Sequence, residues 1–221
     1  MKTVKALIFD FNGTLFWDTS YHQRAWGAIA HKYGTHPYTR EEMHLLNGRT
    51  NSQTISYLVG KDLPESQIQA ISQEKEQLYS EICRSEGPLS LAPGALSLFE
   101  KAIRKGIQIA IATSAGDDNM AFYRQWFDLD SYFPRHLIIT DDHIRESKPH
   151  PAIYLDTLKA LGVSGSEAVV FEDTRSGILS ASAAGIATIY AIASDGADRE
   201  TTEAMEQVHG LIASFDQFVL E

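Results

Sequence analysis

Residues 4–15 read Val-Lys-Ala-Leu-Ile-Phe-Asp-Phe-Asn-Gly-Thr-Leu, a largely apolar run that stops on an acid, Asp10, just before a glycine turn at Gly13. Four more short runs of the same kind follow at Ile107–Ala112, Leu137–Thr140, Ala168–Phe171 and Ala187–Ile192. They are mostly continuous rather than alternating, which suits strands buried on both faces of a parallel sheet. Between them lie helix-like segments that close on glycine. One opens at Pro93-Gly94 and stops at Gly106, a second spans Pro149–Leu161 before Gly162, and a third spans Ser176–Ala184 before Gly185. Proline near the start and glycine past the end is the asymmetry expected of helix boundaries. Strands alternating with helices predict right-handed crossovers and a three-layer α/β core.

The first strand is separated from the second by a long stretch without strand character. Residues 17–33, 41–46, 53–59 and 64–84 carry apolar side chains at three- and four-residue spacing, with Gly34, Gly48, Gly60 and Gly87-Pro88 as punctuation. We therefore expect an all-helical insertion over residues 17–88, within a core made of residues 1–16 and 89–221.

Bulk properties narrow the function. The formal charge is −10, from 29 acidic and 19 basic residues, which disfavours a nucleic-acid-binding surface. A bound cation and a few local lysines can still reverse the field inside a site, so small phosphorylated ligands stay in play. Cys83 is the lone cysteine and has no partner for an intramolecular bridge, as in a reducing compartment. The apolar stretch before Asp10 is too short for a signal-peptide core, and no run reaches membrane-spanning length. A cytoplasmic, monomeric protein is the default expectation.

Chemistry collects where the apolar runs end. Asp10 follows the first, Thr113-Ser114 the second, Lys148 lies a few residues past the third, and Glu172-Asp173 follows the fourth. Ligands of open parallel sheets bind outside the carboxyl ends of the strands, so these groups should face one crevice. The carboxylates of Asp10 and Asp173 make a hard oxygen site suited to magnesium. Thr113 offers a hydroxyl and nearby amides to phosphate oxygens, or simply a helix cap. Lys148 supplies a point charge able to stabilise an in-line displacement. Glu172, beside Asp173, could be a structural acid. In the insertion, Arg49 beside Gly48 is a candidate contact for a substrate anion, while His22 and Trp26, four apart, either touch substrate or only pack. Asp117-Asp118 read as a helix start and Asp141-Asp142 as loop acids. No paired histidines or cysteines at zinc spacing occur, nor a Walker loop or Gly-x-Gly-x-x-Gly fingerprint.

Asp10-Phe11-Asn12-Gly13-Thr14-Leu15, Ala112-Thr113-Ser114, Lys148-Pro149 and Phe171-Glu172-Asp173-Thr174-Arg175-Ser176-Gly177 resemble the four ordered motifs of the haloacid dehalogenase-like superfamily. The resemblance covers essentially the whole chain. Tyr21-His22, Ala25-Trp26, Gly48-Arg49 and Glu172-Asp173 are similar to its β-phosphoglucomutase and phosphatase branch with a helical cap. The resemblance implies a Rossmann-like core, a cap that closes over substrate, and an aspartyl-phosphate on Asp10. It also implies magnesium held by Asp10, the Asn12 carbonyl and Asp173, with Glu172 supporting through water. One position departs: the family's phosphatases carry an aspartate where this chain has Asn12. An amide hydrogen-bonds but does not transfer a proton at neutral pH, and losing a general acid/base costs about 10²–10⁴ in rate. Three readings of Asn12 stand: a slow phosphatase of small phosphorylated metabolites, a phosphometabolite-binding protein with little turnover, and a residue exchanged to trap a complex. A sugar-phosphate mutase is the alternative activity, weakened by Asn47 where β-phosphoglucomutases have lysine.

Overall fold

A computed structural model describes residues 3–46, 49–60, 62–142, 144–194, 197 and 199–220. The chain divides into two compact units, Met1–Trp17 with Ser90–Glu221, and Asp18–Leu89. In chain order the elements are β1 (Ala6–Phe9), helices α1 (Thr19–Tyr33), α2 (Arg40–Leu46), α3 (Asn51–Val59), α4 (Glu65–Ser85) and α5 (Ala95–Arg104), then β2 (Gln108–Gly116) and α6 (Asp117–Phe127). They continue through β3 (Ile138–Asp141), α7 (Ala152–Leu161), β4 (Ala168–Glu172), α8 (Arg175–Ala183), β5 (Thr188–Ile192), α9 (Arg199–Glu203) and β6 (Gly210–Ile212). Both unit boundaries fall one residue later than the sequence suggests. Trp17 stays with the first unit because its indole nitrogen donates to the Thr14 carbonyl at 3.1 Å.

The first unit is a parallel six-stranded sheet of order β3-β2-β1-β4-β5-β6. This α/β, Rossmann-like arrangement places β1 between β2 and β4, where the strand order reverses and a crevice opens at the carboxyl ends. The residues of β1 are fully buried because both faces are covered. Ala6 and Ile8 join a cluster with Ala110, Ile153, Tyr154, Leu158 and Ile178. On the opposite face Phe9 stacks on Phe171 at 5.0 Å between ring centroids and meets Phe99 and Phe215 edge-on. Successive strand side chains point to opposite faces, so one four-residue strand anchors both layers.

Three differences from the sequence reading have local causes. Strand β2 runs on through Thr113 and Ser114 to Gly116, since Gly116 pairs with Asp141 across an irregularity in the β2–β3 ladder. Helix α7 starts at Ala152, after the Pro149-His150-Pro151 turn rather than within it. The sixth strand, Gly210–Ile212, is a three-residue edge too short to register as an apolar run.

The second unit holds α1 to α4. Trp26, Ile29, Ile55, Leu58 and Ile71 form its buried cluster. Helix α3 begins two residues before the expected Gln53 because Thr50 and Gln53 form a capping box, each side chain bonded to the other's backbone N–H. Among the described residues no helix is long and apolar enough to cross a membrane.

The aromatic layer under β1 gives a stability prediction. Phe171, fully buried, touches Phe9, Phe215 and Phe218 rings. Phe171→Ala is expected to cost about 3–5 kcal/mol in urea unfolding of the whole chain; a loss under about 1 kcal/mol would show that this layer does not carry the core.

Candidate active site

Register decides where the chemistry lies. Phe9 is level with Ile111 on one side and Phe171 on the other. Asp10 is the next residue, its N–H donating to the Phe171 carbonyl at 3.0 Å. Glu172 is the last residue of β4 and Asp173 the first beyond it. The chain then turns at Thr174, whose hydroxyl caps α8 by accepting from the Gly177 N–H at 3.1 Å. Three acids from two adjacent strands thus converge: oxygens of Asp10, Glu172 and Asp173 all lie within 4.8 Å of one another, and all three residues are buried.

Lys148 stands among them. Its ammonium donates to Asp10 Oδ1 at 2.7 Å, to Glu172 Oε1 at 2.5 Å and to the Ala112 carbonyl at 3.2 Å. Burial works against a charge on this lysine, but Asp10 and Glu172 outweigh it and hold the ammonium above its ordinary range. Glu172 is further fixed by the Tyr154 hydroxyl, which donates to the same Oε1 at 2.8 Å, and by the Thr174 N–H and hydroxyl on Oε2 at 3.3 and 3.1 Å. Burial and the charge on Glu172 in turn push the Tyr154 phenol well up.

Asp173 is held differently. It accepts from the Thr14 hydroxyl at 3.0 Å. Burial first, then the negative charges of Asp10 and Glu172, push its carboxyl well above the usual range, and Thr14 and Lys148 offset this only in part. One ammonium does not neutralise three carboxylates, so a divalent cation would relieve the crowding. Buried hard oxygen donors at this spacing fit such an ion.

Two glycines make the packing possible. Gly13 has φ +78°, and a side chain there would overlap the Asp173 carboxylate. A side chain on Gly177 would overlap the Glu172 carboxylate in the same way. The loop that carries Gly13 after β1 is tight: the Phe11 carbonyl accepts from the Leu15 N–H at 2.8 Å and the Phe16 N–H at 2.9 Å, and the Gly13 N–H donates to the Phe16 carbonyl at 2.7 Å. Asn12 sits in this loop, with Nδ2 donating to the Tyr123 hydroxyl at 2.8 Å.

Of the residues singled out from sequence, Asp10, Lys148, Glu172 and Asp173 meet directly. Thr113 and Ser114 continue the strand from Ala112, to whose carbonyl Lys148 is bonded. The Thr113 hydroxyl accepts from the Ala115 N–H at 3.1 Å, and Ser114 lines a pocket with Lys148, Ser147 and Arg145. Asp117 begins α6, as expected, and accepts from Thr140 at 2.6 Å. Asp142 is a loop acid bonded to the Ile144 and Arg145 N–H groups.

Arg49 and His22 belong to the second unit. Arg49 is exposed; Asn47 and Gly48, singled out beside it, lie outside the described residues. His22 is embedded in a polar network. Its Nε2 lies 3.2 Å from Asp18, its Nδ1 3.0 Å from Lys75 Nζ, and its ring stacks on Tyr79. Lys75 is 2% exposed and also bonds Glu76 at 2.8 Å. Burial works against the Glu76 charge, but Lys75 and His22 prevail and hold its carboxyl at about 2.

Sequence reasoning placed Thr14 in the first motif without its bond to Asp173, and missed Tyr154, Tyr123 and Lys75. The hydroxyls of Thr14, Tyr154 and Tyr123 matter only through tertiary partners. Lys75 did leave a signal: it interrupts the four-residue spacing of Ile71, Tyr79 and Cys83 on the buried stripe of α4.

A parallel sheet with a buried acid one residue past its switch-point strand, a lysine from a neighbouring loop and two further acids at the end of β4 defines a class of hydrolase. The chain belongs to the haloacid dehalogenase-like hydrolases, whose family model matches residues 7–191. It is 30% identical over 193 residues to a phosphorylated carbohydrates phosphatase of Thermotoga maritima, covering 86% of this chain and 85% of that one. Among solved structures it resembles a HAD hydrolase, family IA, variant 3, from Entamoeba histolytica, with 36% identity, a TM-score of 0.88 and coverage of 98% and 96%. It also resembles a mutant of CbbY from Rhodobacter sphaeroides in complex with xylulose-(1,5)bisphosphate, with 26% identity, a TM-score of 0.81 and coverage of 97% and 96%.

The crowded acids give a binding prediction. A divalent cation at about 100 times its dissociation constant should add about 2.7 kcal/mol of stability. The thermal midpoint should therefore rise with magnesium, return with a chelator, and respond much less in Asp173→Asn. Equal midpoints with cation and with chelator would contradict a metal site here.

Proposed function

We propose that this chain is a magnesium-dependent phosphatase of small phosphorylated metabolites, phosphorylated sugars foremost, which works through an aspartyl-phosphate on Asp10 and is slowed by Asn12. The observation that carries the reading is the Asp10 carboxylate, one residue past the switch-point strand and ion-paired to Lys148 beside Glu172 and Asp173. The phosphatase named among the relatives, which acts on phosphorylated carbohydrates, supports the substrate class.

Asp10, Asp173 and the Asn12 backbone carbonyl would hold the magnesium, with Glu172 behind them. When bound, the ion neutralises charge on the phosphoryl oxygens. Asp10 attacks phosphorus with one carboxylate oxygen while Lys148 fixes the orientation of the other and offsets the incoming negative charge. Thr113 and Ser114 offer hydroxyls and N–H groups to the transferred phosphoryl oxygens. Arg49 and His22, in the second unit, are assigned to the remainder of the substrate.

Residue 12 sets the rate. An aspartic acid there would give a proton to the leaving alkoxide and then take one from the water that hydrolyses the aspartyl-phosphate. Asn12 hydrogen-bonds but does neither. Substrates whose leaving group departs without a proton are therefore favoured, and hydrolysis of the acyl phosphate becomes slow. A second reading follows from the same residue: a phosphometabolite-binding protein that turns over little.

Turnover of p-nitrophenyl phosphate with magnesium separates these. Native protein should show slow turnover, Asp10→Ala none above background, and Asn12→Asp a gain of about tenfold or more. Equal rates in native and Asp10→Ala would remove Asp10 as nucleophile. Binding of a phosphorylated sugar with no turnover in either native or Asn12→Asp protein would favour the binding reading.

A further inference from the structure

We infer that Tyr123 is a positioning residue for the side chain at position 12. The inference rests on the proposed role of that position in proton transfer. Tyr123 lies on the inner face of α6, in the stripe Met120, Tyr123, Phe127. It is fully buried. Its ring stacks on Phe11 at 4.6 Å with an interplanar angle of 26°, and meets Phe16 edge-on at 6.0 Å. Phenylalanine would fill this aromatic nest equally well without a hydroxyl that must be satisfied away from water.

The hydroxyl holds Asn12. Asn12 Nδ2 donates to it at 2.8 Å across 111 residues of sequence. Asn12 itself sits in the tight 11–16 loop two residues after Asp10, its backbone bridged to Phe16. The loop thus fixes the Cα of residue 12, and Tyr123 fixes the far end of its side chain. With the nitrogen committed to Tyr123, the other end of the amide is an acceptor, able to orient a water but not to deprotonate it.

A hydroxyl both donates and accepts, so the same tyrosine serves either residue type at position 12. For asparagine it accepts from Nδ2. For aspartate it would turn and donate to the carboxylate. Tyr123 therefore sets where the side chain of residue 12 sits, whether that residue is an amide or an acid.

Tyr123→Phe deletes only the hydroxyl and keeps the ring. In the full-length protein, the Asn12 side-chain NH₂ signal is assigned by its disappearance in Asn12→Asp, and its hydrogen exchange is then compared with and without Tyr123→Phe. Exchange should quicken by about fivefold or more when the hydroxyl is lost; unchanged exchange overturns the pairing. In parallel, kcat and KM for p-nitrophenyl phosphate are measured for Asn12→Asp and for the double variant with Tyr123→Phe. The double variant should lose about fivefold or more in kcat with KM unchanged. If Asn12→Asp gains activity and Tyr123→Phe leaves its kcat in place, the positioning role is wrong and the proposed function stands. If Asn12→Asp gains nothing, the proton-transfer role of position 12 fails, and amide exchange alone decides the pairing.

Discussion

Everything at the site depends on one buried ion pair with three members. Lys148 lies between Asp10 and Glu172, 2.7 Å from one and 2.5 Å from the other, with almost no exposure to water. Removing one partner of a buried charge group leaves the others uncompensated, which costs far more than the net worth of the pair. The surrounding structure keeps the group together. Phe9 and Phe171 pair in register, which brings Asp10 level with Glu172. Tyr154 and Thr174 take up the remaining lone pairs of Glu172, and Gly177 leaves room for its carboxylate. Asp173 stands outside the lysine's hydrogen bonds, where burial and the charges of Asp10 and Glu172 disfavour its ionised form, and that crowding is the strongest local argument for a cation.

Most of the core was legible in the sequence, for a simple reason. A parallel sheet covered on both faces demands continuous apolar strands, and the residues just beyond them fall at the carboxyl edge whatever the side-chain details. Asp10, Lys148, Glu172 and Asp173 could therefore be read as one site from position alone. The residues that hold those four could not. Thr14, Tyr154 and Tyr123 look like ordinary loop and core positions, and their roles arise from contacts 18 to 159 residues distant in sequence. Strand β6 escaped because three edge residues make no pattern, and β2 was cut short because its last residues pair across an irregular ladder. In the helical unit, spacing exposed the packing faces but not that Lys75 occupies one, where His22 and Glu76 make its burial tolerable.

The site separates two requirements that usually come together. Under the proposed function, engaging a phosphoryl group calls for a nucleophile, a fixed positive charge and a place for a metal, for which Asp10, Lys148 and the clustered acids are the candidates. Moving protons calls for an acid at position 12, where the chain has an amide anchored to a buried phenol. The anchoring matters because an unheld asparagine would be a loss of function and nothing more. Held in place, Asn12 keeps its position in the loop bridged to Phe16, and under the proposed function it would slow the proton-dependent steps alone.

The most direct test is to look for the covalent intermediate. After brief reaction with p-nitrophenyl phosphate and magnesium, followed by acid quench and peptide mass analysis, the peptide bearing Asp10 should carry one phosphoryl group. It should accumulate in the native protein, because Asn12 slows hydrolysis, and be scarce in Asn12→Asp. Turnover without any phosphoryl group on Asp10, or one found on a different residue, would contradict the account.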